Sequence, residues 1–184
     1  MYRGECRNPE REFQLHLPGG VVAFGNCGLG PGDGVRISLL NPTYDKSGGG
    51  PSWDEMGVWA STRTPSTPKE QADRFERELK EDSERKHATD VEILPATQIS
   101  LGSLAWIDVK ASLVQPLGGK LFYEVMFAKD PRKDIDYLMG MICSADLCEK
   151  ERRVFKSVVE GFTYAPAEHD DKSIKSMDAD SNRQ

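Results

Sequence analysis

The chain has 184 residues, with 24 Lys+Arg against 30 Asp+Glu, a formal charge of −6, and it is 38% hydrophobic and 29% charged. That length and balance suit about one globular domain with a core of its own. The acidic surplus argues against a binder of nucleic-acid backbone, which presents a basic face, and no apolar run reaches the ~18–20 residues that a membrane-crossing helix needs.

Residues 1–12 are charged and polar and lack the apolar stretch of a signal peptide. Either the protein is cytoplasmic, or a leader has been removed, with or without a lipid anchor on it. The cysteines favour the second. Cys6, Cys27, Cys143 and Cys148 are even in number and allow three connectivities. The simplest is local, Cys6 with Cys27 and Cys143 with Cys148. Such bridges place a protein in the periplasm or outside the cell, where disulfides persist. Four reduced thiols in the cytoplasm are the alternative. A zinc site from Cys143 and Cys148 lacks a second Cys/His pair.

Phe13, Leu15 and Leu17 alternate with Gln14 and His16, the period of a half-buried strand. Pro18-Gly19-Gly20 turns the chain, and residues 21–24 give a short apolar run. Residues 28–34 are too rich in Gly and Pro for regular structure. They lack the third glycine of a phosphate-binding loop, whose place Asp33 holds. Val35, Ile37 and Leu39 form a further alternating strand, residues 41–51 a mobile loop, and residues 56–60 a strand with Trp59 in its core-facing run.

A helix follows with clear start signals. Thr67 suits the N-cap, Pro68 the first helical position, and Glu70 completes a capping box. Ala72, Phe75 and Leu79 form a narrow apolar stripe. Glu70–Arg74, Asp73–Arg77, Glu76–Lys80, Glu81–Arg85 and Asp82–Lys86 are acid-before-base pairs four apart, each worth about 0.2–0.5 kcal/mol. This helix lies on the surface with one edge on the core.

From residue 90 the period returns to two. Val91 and Ile93, then Ile99 and Leu101, belong to short strands interrupted by Pro95. Residues 104–114 place Ala105, Ile107, Val109, Ala111 and Leu113 on one face and Trp106, Asp108, Lys110 and Ser112 on the other. Leu121, Tyr123, Val125 and Phe127 face inward on the next strand, and residues 135–143 return as a third, giving an antiparallel meander. A last helix over residues 144–160 takes Ser144 as N-cap and Gly161 as its stop. Leu147, Val154, Phe155, Val158, Val159 and Phe162 make a broad apolar face. Residues 1–164 read as one α+β domain. Residues 165–184 are too polar to offset the entropy of ordering and read as a disordered tail.

Three segments carry a family resemblance: Phe13-Gln14-Leu15-His16-Leu17-Pro18, Lys120-Leu121-Phe122-Tyr123-Glu124-Val125-Met126-Phe127, and Phe155-Lys156-Ser157-Val158-Val159-Glu160-Gly161-Phe162. In this order the chain, over roughly residues 12–164, resembles the PsbP-like α/β/α sandwich group. That group takes in a photosystem II extrinsic subunit, a Ran-release factor and bacterial lipoproteins. The resemblance implies an α+β fold, an antiparallel sheet with flanking helices, in a non-enzymatic protein that docks onto another macromolecule.

The residues offer little catalytic chemistry. There is no G-x-S-x-G elbow, and His16, His87 and His169 all fall in polar surroundings. A Cys143–His16 dyad across the sheet is the nearest approach to a nucleophile and its base. Asp33, Asp45, Asp130 and Asp134 could offer oxygen ligands to calcium, without EF-hand spacing. No cofactor or metal is expected. Aromatic side chains are common at interface hot spots, so Tyr44, Trp53 and Trp106 are the candidate binding residues, with core packing the other reading for Trp53 and, under a covering helix, for Trp106. The expected function is a non-catalytic extracytoplasmic binding or inhibitory module for a protein partner, a basic one given the acidic chain. A bacterial immunity protein or periplasmic factor is its most specific form. Two alternatives stay open: a small hydrolase with a site assembled from distant residues, and a soluble ligand carrier.

Overall fold

Side-chain alternation lays down the central layer. The structure, a computed structural model, describes residues 2–25, 34–40, 55–62, 66–130, 132–145 and 147–164. In chain order the elements are β1 (Glu5–Asn8), β2 (Phe13–His16), β3 (Val22–Gly25), β4 (Gly34–Leu40), β5 (Glu55–Ser61), α1 (Pro68–Arg85), β6 (Thr89–Ile93), β7 (Thr97–Leu101), β8 (Leu104–Gln115), β9 (Gly119–Asp130), β10 (Ile135–Ser144), α2 (Cys148–Glu160) and β11 (Phe162–Tyr164). Strands β3-β4-β5-β10-β9-β8-β6 form a sheet in that order, with β7 also on β8. Every strand pairing is antiparallel. The expected meander is β8-β9-β10. A smaller sheet, β1-β2-β11, stands apart from it.

Both faces of the large sheet are covered. Ala72 of α1 packs on Val109, Val125 and Phe127, and Leu79 on Ala111, Leu113 and Leu121. On the opposite face, Phe13 and Leu15 of the small sheet and Phe155 and Val158 of α2 join Trp106, Met126, Tyr137 and Met139 in the main core. The Trp106, Asp108, Ser112 side of β8, polar in sequence, is buried: α2 and the small sheet pack over Trp106, the covered-face reading of that strand.

The start of α1 is as expected. Glu70 N–H donates to Thr67 Oγ1 at 3.2 Å, and Thr67 N–H donates to Glu70 Oε2 at 2.7 Å, closing the capping box. Thr67→Ala should therefore cost about 1 kcal/mol, read as a lower midpoint in urea unfolding. Of the expected charge pairs, Asp82–Lys86 closes at 2.7 Å; Lys69–Asp73, a base-before-acid pair outside that set, closes at 2.9 Å.

The start of α2 differs from expectation. Ser144 is not its cap: it ends β10, paired with Leu121, and the helix begins at Cys148 after Leu147, with no side-chain cap. The ladder with β9 holds the backbone extended through Ser144, and Leu147 N–H then donates to Ser144 O at 3.2 Å in a turn. The Cys143–Cys148 disulfide spans that turn, the second bridge of the expected local pairing. Cys6 is also disulfide-bonded; Cys27 lies outside the described residues. At the far end Gly161 terminates α2, as expected.

Strand β1 was not legible in the charged N-terminal arm. Cys6 and Asn8 point inward while Glu5 and Arg7 face out. Of the expected irregular stretch over 28–34, Gly34 instead opens β4 and the rest lies outside the described residues, as do the expected loop over 41–51 and the expected tail over 165–184.

Candidate functional site

The register places unlike features at opposite ends of the large sheet. One end holds the β9–β10 turn and the start of α1, since Asp136 pairs with Ser61 and Ile135 with Asp130. The other end holds the row Glu55–Ile142–Tyr123–Ala111–Ile93, the β8–β9 hairpin and the last turns of α1.

The first end carries a cluster that resembles an active site in composition. Glu12, only 1% exposed, faces Arg132 at 3.4 Å and Lys133, and it accepts a hydrogen bond from the Tyr164 hydroxyl at 3.3 Å. Asp130 Oδ1 accepts from Arg132 N–H at 2.8 Å, and the Tyr137 hydroxyl donates to Arg11 O at 2.5 Å. Burial acts to raise the Asp130 carboxyl, but the Arg132 amide, the Tyr164 hydroxyl and the Arg132 charge outweigh it and leave it below its ordinary value. These contacts join residues far apart in the chain and tie the small sheet to the β9–β10 turn. Asp136 sits nearby under α1. Burial raises its carboxyl, while Lys129 at 3.6 Å and Gln71 Nε2 at 2.9 Å oppose that. Glu12, Asp130 and Asp136 line neither cavity described below; the contacts of Glu12 and Asp130 act as a polar lock between the small sheet and the β9–β10 turn.

The lock has a pH signature. Burial, then a hydrogen bond with Asp130, push the Tyr164 phenol up to about 12, against an opposing pull from Arg132. Burial also raises Tyr137. A phenol raised in the folded state lends stability that is whole below its unfolded value and fades as pH climbs through the folded one. Stability should therefore fall between about pH 10 and about pH 12. Tyrosinate absorbance followed beside circular dichroism should show ionisation and loss of structure together. Tyr164→Phe should remove the ionisation step near the upper end of that window.

The second end opens a groove of about 640 Å³ between the last turns of α1 and the sheet. Its floor is Phe75, Leu79, Leu121, Tyr123 and Ile142; its rim carries Glu78, Glu81, Asp82, Arg85 and Lys86. Both basic rim residues bind the same partner: Arg85 and Lys86 close on Asp82 and hold its carboxyl below the ordinary range, the Lys86 hydrogen bond foremost. Glu78 and Glu81 are exposed. Burial, with the Asp82 charge behind it, raises the Tyr123 phenol. An apolar floor with a polar rim is the anatomy of a protein-docking surface.

The groove lies at the end of the sheet where β4 leaves and β5 enters, since Leu39 pairs with Met56 and Ile142 with Glu55. Tyr44 and Trp53 belong to that connection and lie outside the described residues. Trp106 is a correction. It is 0% exposed, wedged against the Phe162 ring at 5.2 Å, with its Nε1–H donating to Leu101 O at 3.3 Å. It has no surface to offer a partner. Trp59 is half-buried opposite Leu138. His16 and His87 are exposed, His169 lies outside the described residues, and the bonded Cys143 has no thiol for a dyad with His16. Asp130 and Asp134 engage Arg132 and Lys129; Asp33 and Asp45 lie outside the described residues. The groove was missed in the sequence because each floor residue reads as ordinary core. The excess of charge on the second half of α1 was the available signal.

No protein-family model matches the chain, and no curated protein matches it. Among solved structures, it is similar to the solution structure of cyanobacterial PsbP (CyanoP) from Synechocystis sp. PCC 6803, with a TM-score of 0.59 at 11% identity, covering 87% of this chain and 91% of that one. It is also similar to the Saccharomyces cerevisiae Ran-binding protein Mog1p, with a TM-score of 0.48 at 12% identity, covering 90% and 97% of the two chains. The fold is therefore the PsbP-like one that the sequence resemblance implied, an antiparallel sheet with helices on both faces.

Proposed function

We propose that this chain is a non-catalytic docking module that holds a basic, apolar-tipped segment of a protein partner in the groove beneath α1. The observation that carries the reading is the groove itself: an apolar floor whose two cationic rim residues are spent on one acid, leaving Glu78 and Glu81 to face a partner. The formal charge of −6 favours approach of a basic partner from a distance. The polar lock supports the absence of catalysis, because its carboxylates and phenols face one another and line neither cavity.

The disulfide between Cys143 and Cys148 supports a place outside the cytoplasm, where such bonds persist. A bacterial immunity protein or periplasmic factor fits both features. Intact mass before and after reduction and alkylation of native protein counts the bridges; four alkylated cysteines without reductant would place the chain in a reducing compartment instead.

The docking surface is tested by capture from a periplasmic extract with the parent protein and with Glu78→Lys/Glu81→Lys, two exposed positions. The captured partner should be basic, release with rising salt, and fall at least tenfold in yield with the double variant, about 1.4 kcal/mol or more. Equal capture by both proteins refutes the groove as the site; no specific capture by the parent refutes the docking function.

A further inference from the structure

The face that carries α2 holds a second cavity, of about 350 Å³, at the same end of the sheet but on the opposite side from the groove. Phe122 of β9 forms its wall, with Leu94 beside it and Ser112 on β8. Two cations share that ring: Lys120 Nζ lies 5.1 Å and the Arg152 guanidinium 5.0 Å from its centroid. Lys110, which also lines the cavity, is spent on Asp108 at 3.1 Å and Glu124 at 3.4 Å. Glu92 and Glu124 line the cavity as well, but Lys120 and Arg152 pair with neither of them nor with any other carboxylate among the described residues.

Both side chains are exposed, so their charge is open to a ligand that enters the cavity. Each gains from the ring's negative face, and two positive charges at one cavity favour an anion there. A guanidinium beside an ammonium suits a carboxylate, which the guanidinium can grip with paired N–H groups. Phe122 and Leu94 next to the pair suit an apolar body attached to that carboxylate. The volume lies near the lower end of small-ligand sites, roughly 300–1,000 Å³.

We propose that this cavity binds a small apolar carboxylate, its anionic end between Lys120 and Arg152 and its body on Phe122 and Leu94. The site is separate from the docking groove and stands or falls without it.

The test uses the intact protein and 3-phenylpropionate, followed by calorimetry and by amide shifts in nuclear magnetic resonance. Saturable binding is expected, with a dissociation constant on the order of 1 mM or tighter and shifts centred on Ser112 and Phe122. The neutral analogue 3-phenyl-1-propanol should bind at least tenfold more weakly. Lys120→Gln/Arg152→Gln should weaken the carboxylate at least tenfold with an unchanged circular dichroism spectrum. Absence of saturation, equal binding of the alcohol, or undiminished binding by the double variant overturns the proposal.

Discussion

Gly161→Ala is expected to destabilise the fold by roughly 3 kcal/mol, whereas Gly19→Ala should change stability by no more than about 0.5 kcal/mol. The contrast separates two reasons for a glycine. Gly161 ends α2 at φ −81°, a conformation open to any residue, so it does not serve there for a left-handed turn. Its hydrogen atoms face the next layer instead. A Cβ at this position would stand 2.3 Å from His16 O and 3.2 Å from His16 C, both backbone atoms. Strand β2 cannot retreat freely, because His16 N–H donates to Gly161 O at 2.9 Å and Leu15 pairs with Phe162 one step on. Relief of the clash must break that pairing, and overpacking costs typically ~1–3 kcal/mol before any lost hydrogen bond is added. Gly19 lies in a turn with nothing within 4 Å of an added Cβ. Urea unfolding of both variants is the measurement; equal midpoints would mean that α2 and β2 do not approach so closely in solution.

That close approach also shows where the sequence stops being informative. Alternation located β2, β4, β8 and β9 because it reports backbone period, apolar runs located β5 and β10, and the capping box located α1 because its chemistry is local. Neither reports what lies above a face. Trp106, Asp108 and Ser112 alternate with apolar neighbours just as a solvent-facing set would, yet they are buried. The cover over Trp106 comes from Phe155 and Val158 of α2, more than forty positions away, and from Phe13 and Leu15 of β2 near the start of the chain. Strand β1 escaped for a related reason. Its inward residues are Cys6 and Asn8, and Asn8 is a polar residue, buried with its Oδ1 accepting the Arg11 N–H at 2.8 Å. Ser144 is the converse case. It has the chemistry of a helix cap, but long-range pairing with Leu121 holds it in a strand. The same limit hides the groove. Phe75, Leu79, Leu121 and Tyr123 each read as core, and the space among them depends on how α1 lies across the sheet, which no residue pattern encodes.

Trp106→Ala decides between the two roles that the sequence left open for this residue. A docking anchor truncated to alanine loses partner affinity and leaves the isolated protein stable. A core residue does the reverse. Trp106 is 0% exposed and stands edge-on to Phe162 at 5.2 Å, with Tyr137 at 6.4 Å. Its removal leaves a cavity between the two sheets, where α2 and β11 close on β8. It also strips Leu101 O of the indole N–H that lies 3.3 Å away. Truncation of a buried Trp costs typically ~3–5 kcal/mol, and the orphaned carbonyl adds to that. In a chain of this size each kcal/mol moves the thermal midpoint by about 2–4 °C, so a fall on the order of 10 °C is expected. The aromatic near-ultraviolet circular dichroism should shrink with it, since the rings of Phe13, Tyr137 and Phe162 pack in the same core. Below the lowered midpoint, capture of the basic partner should match that of the parent protein, because the groove lies on the far side of the sheet. Lost capture with an unchanged midpoint would return Trp106 to the interface and place the partner on the α2 face.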